Sequence, residues 1–421
     1  MTHFNGTFSP PGDKSISHRL GLMSILASGN CYVSNCLPGD DVKSSLKALE
    51  TLGGSYETDD YIHVKITGLG GQTVNQAQID CGNSGTTMRL ISGILAGRPG
   101  QFILDGDQSL RKRPMERIAI PLRNMTGQVD TQNGTCPITI NGQSLQGIDY
   151  KLPVASAQLK SAILLAGIQA SGQTRITETT MSRDHTERLL KQMGASIKQN
   201  NLTWTVEKSS LTLPDTFYVP GDPSSAAFFL CAAAIFRDSQ VISKNTLLNS
   251  TRTGFIDVLK RMNVNIDINQ IADQPEPVGD IHVNYSSEMI ATQIHEEEIP
   301  SLVDEVPILS LVATQAKGKT VFKGVQELRV KETDRLDAIS TQLNKMGANI
   351  ETGKDSLTIF GPTPLKPVSE LESFGDHRIA MTLRLASLLT EAYASIAQEN
   401  CIAISYPGFH DTLEQLQKTH R

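Results

Sequence analysis

One short pattern recurs five times along the chain: Leu-x-x-Met or Leu-x-x-Leu, closed by Gly or Asn and followed by a β-type segment. The copies occupy residues 49–53 (LETLG), 122–127 (LRNMTG), 190–194 (LKQMG), 259–263 (LKRMN) and 343–347 (LNKMG). Their fourth residues, Leu52, Met125, Met193, Met262 and Met346, stand 68 to 84 residues apart. Self-similarity on that scale marks repeated supersecondary units. Gly and Asn accept the left-handed backbone just past a helix end, so each copy reads as an amphipathic helix, a tight turn and a strand, such as 195–198 or 348–351. A sixth unit would end around Leu413 and Leu416. A chain of 421 residues exceeds what one core supports, and six α/β units divide naturally into two pseudo-threefold domains of about 200 residues each.

Two rigid segments mark the crossings, Pro10-Pro11-Gly12 and Val219-Pro220-Gly221-Asp222-Pro223. They resemble each other. The expected division is a central domain over 13–220 and a discontinuous one from 1–12 and 221–421, with the active site in a cleft between them. Aromatics at 5% and hydrophobics at 39% suit aliphatic helix-to-sheet packing, hence an α/β class. The net charge of −6 argues against an extended surface for nucleic acid or anionic membrane. Six cysteines form no Cys-x-x-Cys pair and have no zinc-finger histidines, so a metal site and a disulfide framework are both unsupported. No basic-then-apolar leader opens the sequence and no 18-residue apolar run occurs; the longest apolar stretch, 226–236, has the length of a core helix. The expectation is a cytoplasmic protein with reduced thiols.

Against that acidic background, Pro11-Gly12-Asp13-Lys14-Ser15-Ile16-Ser17-His18-Arg19 sets two cations and two hydroxyls at the mouth of an apolar helix, the chemistry of an anion site. Asp80-Cys81-Gly82-Asn83-Ser84-Gly85-Thr86-Thr87-Met88-Arg89 opens a second helix, and Gly85 would let backbone N–H groups approach an anion. No Gly-Lys-Ser/Thr occurs, so nucleoside triphosphate binding is unsupported. Arg111-Lys112-Arg113-Pro114 reads equally as a solvated face or as a guanidinium at a helix start. Ser156-Ala157-Gln158 and Ser182-Arg183-Asp184-His185 are further polar helix entrances. Residues 329–335 (RVKETDR) carry five charges that surface ion pairs along a helix would explain. Asp304-Glu305 sits within an apolar stretch, where carboxylates are rare without a partner. Lys14, Arg19, Arg113, Arg183, Lys331, Arg335 and Arg378 all lie at element starts in both halves, enough to hold two small anions, and Asp304 and Glu332 could transfer protons.

These motifs, together with Arg-Pro-Met, Val-Lys-Glu-Thr-Asp-Arg and Asp-His-Arg in the same order, resemble the 5-enolpyruvylshikimate-3-phosphate synthase family over nearly the full chain. Ser-Ala-Gln and Ser-Arg-Asp-His-Thr-Glu are more similar to its bacterial class II. The resemblance implies an inside-out α/β barrel fold of two domains, each of three β-α-β-α-β-β repeats. It implies transfer of the enolpyruvyl group of phosphoenolpyruvate to the 5-hydroxyl of shikimate 3-phosphate, with release of phosphate and no cofactor or metal. Carried onto this chain, shikimate 3-phosphate would meet Lys14, Ser15, Arg19, Ser156, Gln158, Ser182, Arg183, Asp304 and Lys331. Phosphoenolpyruvate would meet Lys14, Gly85, Arg113, Gln158, Arg335 and Arg378. Asp304, Glu332 and Lys14 would be catalytic, the protein a monomer, and Gly85 the mark of glyphosate sensitivity, refuted by full activity at millimolar inhibitor.

The chain departs from the class I pattern at Glu327, where that pattern has Asn. It departs again at Ile404, where many members carry a lysine that contacts phosphoenolpyruvate. Two rivals remain. The related UDP-N-acetylglucosamine enolpyruvyl transferases use a reactive loop cysteine, and none lies between Cys81 and Cys136. A non-catalytic hinged anion-binding protein would not need the paired carboxylates Asp304 and Glu332.

Overall fold

The computed structural model describes residues 2–418. They form two compact units, one over residues 12–219, the other from the residues up to Pro11 and those from Pro220 onward. Each break falls one residue before the position read from the sequence. At the first, a Cβ on Gly12 would lie 1.7 Å from the carbonyl oxygen of Asn35, a spacing only glycine permits. At the second, Asp222 donates its N–H to the carbonyl of Pro11 at 2.8 Å and its carboxylate caps the helix that follows.

The central unit repeats one motif three times. Its helices come in pairs: α1 (Lys14–Met23) with α2 (Asp40–Thr51), α3 (Gly85–Ala96) with α4 (Glu116–Asn124), and α5 (Ala157–Gly167) with α6 (His185–Gln192). Each pair accompanies a four-stranded mixed sheet whose first two strands are parallel and whose remaining pairs are antiparallel. In one, Gln76–Asp80 lies beside Gly100–Asp105, then Thr135–Gly142 and Gln128–Gln132. In the next, Asp149–Lys151 lies beside Thr174–Thr177, then Thr203–Val206 and Ile197–Asn200. The third is closed by distant chain: Thr216–Tyr218, from the end of the unit, runs parallel to Asn30–Ser34 near its start.

The other unit follows the same plan with α7 (Pro223–Ile235), α8 (Gly254–Arg261), α9 (Val306–Gln315), α10 (Arg335–Lys345), α11 (His377–Leu389) and α12 (Phe409–Lys418). Here Asn5–Phe8 supplies the parallel edge strand beside Gln240–Leu247. The second sheet, opened by Gln293–Ile294, is also four-stranded, but the third has only the parallel pair Glu370–Glu372 and Ser395–Ala397. The sixth repeat therefore differs from the expected β-α-β-α-β-β: among the described residues its sheet is the parallel pair alone.

Alternate helices do different work. The first of each pair is buried almost all round, and every residue of α7 is buried, so residues 226–236 are core, with each large aliphatic or aromatic side chain contributing roughly 1.5–3 kcal/mol. The second of each pair is amphipathic, and in the first five pairs it ends in the recurring sequence signal. At all five copies the residue after the cap has positive φ: Gly53, Thr126, Gly194, Asn263 and Gly347. The next N–H reaches back to the leucine that opens the motif, from Gly54 to Leu49, Gly127 to Leu122, Ala195 to Leu190, Val264 to Leu259 and Ala348 to Leu343, at 2.9–3.0 Å. This is a Schellman closure, and the Leu or Met at the cap is buried in every copy.

Among the described residues no helix is long and apolar enough to cross a membrane. The cysteines are free thiols, five buried and Cys401 half-buried.

Candidate active site

In the central unit, helix starts gather the candidate residues. Asp13 caps α1 by accepting the Ile16 N–H at 2.8 Å, leaving Lys14 and Ser15 at the end where unpaired N–H groups and the helix dipole favour an anion. The Lys14 ammonium lies 2.5 Å from the carboxylate of Asp41, on the first turn of α2. The sequence reading missed Asp41, because an acidic helix start is explained by the dipole alone. One turn into α1, buried Arg19 donates to Thr186 Oγ1 (2.7 Å), Ser161 Oγ (2.9 Å) and the Ser15 carbonyl (2.9 Å), fastening α1 to α5 and α6.

A run of hydroxyls links α1 to α3. His18 Nδ1 meets Ser45 Oγ at 2.8 Å, Ser45 meets Thr87 at 2.8 Å, and Thr87 donates to Ser84, which caps α3, at 2.7 Å. Burial, reinforced by the Lys14 charge, pushes the His18 pKa down to about 3, so the imidazole is neutral.

Gly85 is the first residue of α3. A Cβ there would stand 3.0 Å from Arg89 Nη1 and 3.5 Å from Arg113 Nη1, so the glycine leaves room beside two guanidinium groups. Arg89 donates to Gln158 Oε1 at 2.6 Å, and Gln158 in turn donates to Thr86 Oγ1 at 2.9 Å. Arg113 donates to Asn83 at 2.7 Å, whereas neighbouring Arg111 is an exposed partner of Asp105. Gly85, Arg113 and Gln158 are thus brought together, with Arg89 as a fourth member that had only been part of a motif. Ser156 caps α5. Ser182 and Arg183 lie in the connection before α6, where Ser182 is held by Glu178.

The other unit carries a second cluster. Arg335, the first residue of α10, is buried and donates to three carboxylates: Nε to Asp376 (2.7 Å), Nη1 to Asp304 (3.0 Å) and Nη2 to Glu332 (2.6 Å). Arg378, on the first turn of α11, approaches Asp304 at 3.4 Å. Asp376 has a second duty, capping α11 through its other oxygen. Residues 329–335 are therefore not a helix lined with surface ion pairs: a 3-10 turn ends at Val330, and α10 starts only at Arg335. Burial opposes the Arg335 charge, but Asp376, Glu332 and Asp304 outweigh it and raise its pKa. For Lys331 burial wins and lowers the pKa, although Asp304 and Glu327 pull the other way. Ile404 ends a 3-10 turn and is half-buried.

A family model for EPSP synthase (3-phosphoshikimate 1-carboxyvinyltransferase) matches residues 1–413. The chain belongs to that family. It is 45% identical over 424 residues to the 3-phosphoshikimate 1-carboxyvinyltransferase of Bacillus velezensis, covering 99% of this chain and 98% of that one. The enzyme of the same name from Thermodesulfovibrio yellowstonii is 46% identical over 420 residues, 98% of this chain and 97% of that one. Among solved structures, EPSP synthase from Acinetobacter baumannii superposes with a TM-score of 0.88 at 39% identity, covering 99% of this chain and 96% of that one. The enolpyruvyl transferase NikO from Streptomyces tendae shares the fold alone, with a TM-score of 0.82 at 17% identity over 99% of this chain and 95% of that one. The enzyme is a 3-phosphoshikimate 1-carboxyvinyltransferase of the shikimate pathway, with shikimate 3-phosphate and phosphoenolpyruvate as substrates.

Proposed function

We propose that the two clusters, one in each unit, act on this one pair of substrates. Shikimate 3-phosphate is assigned to Lys14, Ser15, Arg19, Ser156, Gln158, Ser182, Arg183, Asp304 and Lys331. Phosphoenolpyruvate is assigned to Lys14, Gly85, Arg113, Gln158, Arg335 and Arg378. The observation that carries this reading is Arg335: a buried guanidinium ringed by Asp304, Glu332 and Asp376, with Arg378 beside Asp304. Such a ring balances charge while the site is empty, and a substrate anion can share the cations while the carboxylates stay within reach for proton transfer.

The chemistry needs two protons in, at C3 and at the bridging oxygen of the departing phosphate, and two out, from the 5-hydroxyl and from C3. Protonating C3 of phosphoenolpyruvate makes C2 electrophilic, the 5-hydroxyl adds to C2 and loses its proton, and the tetrahedral adduct expels phosphate as C3 gives a proton back. Asp304 takes the hydroxyl proton, Glu332 and Lys14 exchange protons with C3 and the phosphate bridge, and the arginines hold the charge that develops. Replacing Glu332 by Gln is expected to lower turnover by roughly a hundredfold or more while both KM values stay within about threefold. Unchanged turnover would remove Glu332 from this role.

Ser156-Ala157-Gln158 and Ser182-Arg183-Asp184-His185-Thr186-Glu187 support a class II assignment, and Gly85 supports sensitivity to glyphosate. We place the enzyme in the cytoplasm as a monomer, to be checked by sedimentation; a stable dimer would contradict this.

A further inference from the structure

We propose that Lys160, Glu178 and Glu187 are positioning residues: they hold the segment bearing Ser182 and Arg183, and thereby set the affinity for the phosphorylated acceptor but not for phosphoenolpyruvate. The inference rests on the assignment of Ser182 and Arg183 to that acceptor. Lys160 lies on α5 between Gln158 and Ser161, and its side chain is fully enclosed. The ammonium is 2.6 Å from Glu178 Oε1 and 2.7 Å from Glu187 Oε1, and lies 5.7 Å from the ring centre of Trp204. Both carboxylates are as buried as the lysine.

Three charged groups withdrawn from water are costly, and apolar side chains of similar volume often stabilise a fold as well or better. Stability is therefore a poor reason for this cluster, and its contacts suggest another. Glu178 accepts both the N–H of Ser182, at 3.1 Å, and its hydroxyl proton, at 2.6 Å. Lys160 Nζ donates to the carbonyl of the same residue at 3.3 Å. Every polar atom of Ser182 is thus held by the cluster. Glu178 directly follows the strand Thr174–Thr177, and Glu187 stands on the first turn of α6, so the connection carrying Arg183 is fastened to α5 from both ends. Gly85 lies beside the guanidinium groups of Arg89 and Arg113, and Arg113 donates to Asn83 and Ser109, not to the cluster.

Burial raises the Glu187 pKa against the pull of Lys160, and its Oε2 has no hydrogen-bond partner among the described residues.

The test is steady-state kinetics on three variants of the full chain. Lys160→Met is expected to raise KM for shikimate 3-phosphate tenfold or more, with kcat and KM for phosphoenolpyruvate within twofold of wild type. Glu178→Gln, which keeps the shape and loses the charge, should raise the same KM threefold or more with the same selectivity. Far-ultraviolet circular dichroism reports whether each variant is folded; if Lys160→Met is not, Glu178→Gln decides by the same criterion. A folded variant that leaves both KM values unchanged, raises both equally, or loses only kcat overturns the proposal. Arg183→Ala separates the two levels. If it raises KM for shikimate 3-phosphate while the cluster variants do not, the substrate assignment stands and the positioning role falls; if it has no effect, both fall.

Discussion

Arg335 illustrates how a single residue can organise a site. Its three donors hold carboxylates 31, 3 and 41 positions away in sequence, at Asp304, Glu332 and Asp376, and each is also near an element start. The residue types and their helix-start positions were legible, because Lys14, Gly85, Arg113, Arg335 and Arg378 belong to dense local motifs. Their partners were not. Asp41, Lys160, Glu178, Glu187 and Asp376 act through contacts with remote sequence, and a lone lysine in an apolar helix gives no local sign that two glutamates will enclose it. His18 carries the prediction at this scale. Its pKa falls from 6.5 to about 3 on folding, so below pH 6.5 the unfolded chain binds more protons and stability declines as pH falls. The loss should approach about 2 kcal/mol at pH 5, from about 1.4 kcal/mol per pH unit. Denaturant unfolding of the wild type against His18→Asn should show a pH slope between 7 and 5 that is flatter in the variant by about that amount; parallel slopes would contradict the buried neutral imidazole.

At the level of elements, the helix endings were the most legible part of the fold, since a Schellman closure is decided within six consecutive residues. Even there one detail escaped: in the second copy the left-handed residue is Thr126, and Gly127 follows it. The sixth repeat could be located from Leu413 and Leu416, which mark its second helix, but not the number of strands in its sheet. The closures also set an expected cost. Gly194 has φ +91° and open space where a Cβ would stand, so Gly194→Ala introduces backbone strain without a clash. It should destabilise the enzyme by about 1–2 kcal/mol with KM values unchanged; a neutral result in denaturant unfolding would mean the turn relaxes without loss.

For the molecule as a whole, the repeat period gave the number of units, while the way sheets are completed lay beyond it. Thr216–Tyr218 pairs with Asn30–Ser34, and Asn5–Phe8 pairs with Gln240–Leu247, partners separated by nearly the length of a unit or more. Pairing over such distances is chosen by the packed core, which no local pattern encodes. The consequence is that the central unit joins its beginning to its end, that the other is completed by the strand at the start of the chain, and that cations from separate motifs meet at helix starts. The proposed function has these clusters serve enolpyruvyl transfer to shikimate 3-phosphate. The direct measurement is phosphate release from phosphoenolpyruvate by the purified enzyme with either shikimate 3-phosphate or UDP-N-acetylglucosamine as acceptor. Release with shikimate 3-phosphate and none with the UDP-sugar is predicted; release with the UDP-sugar alone would contradict it.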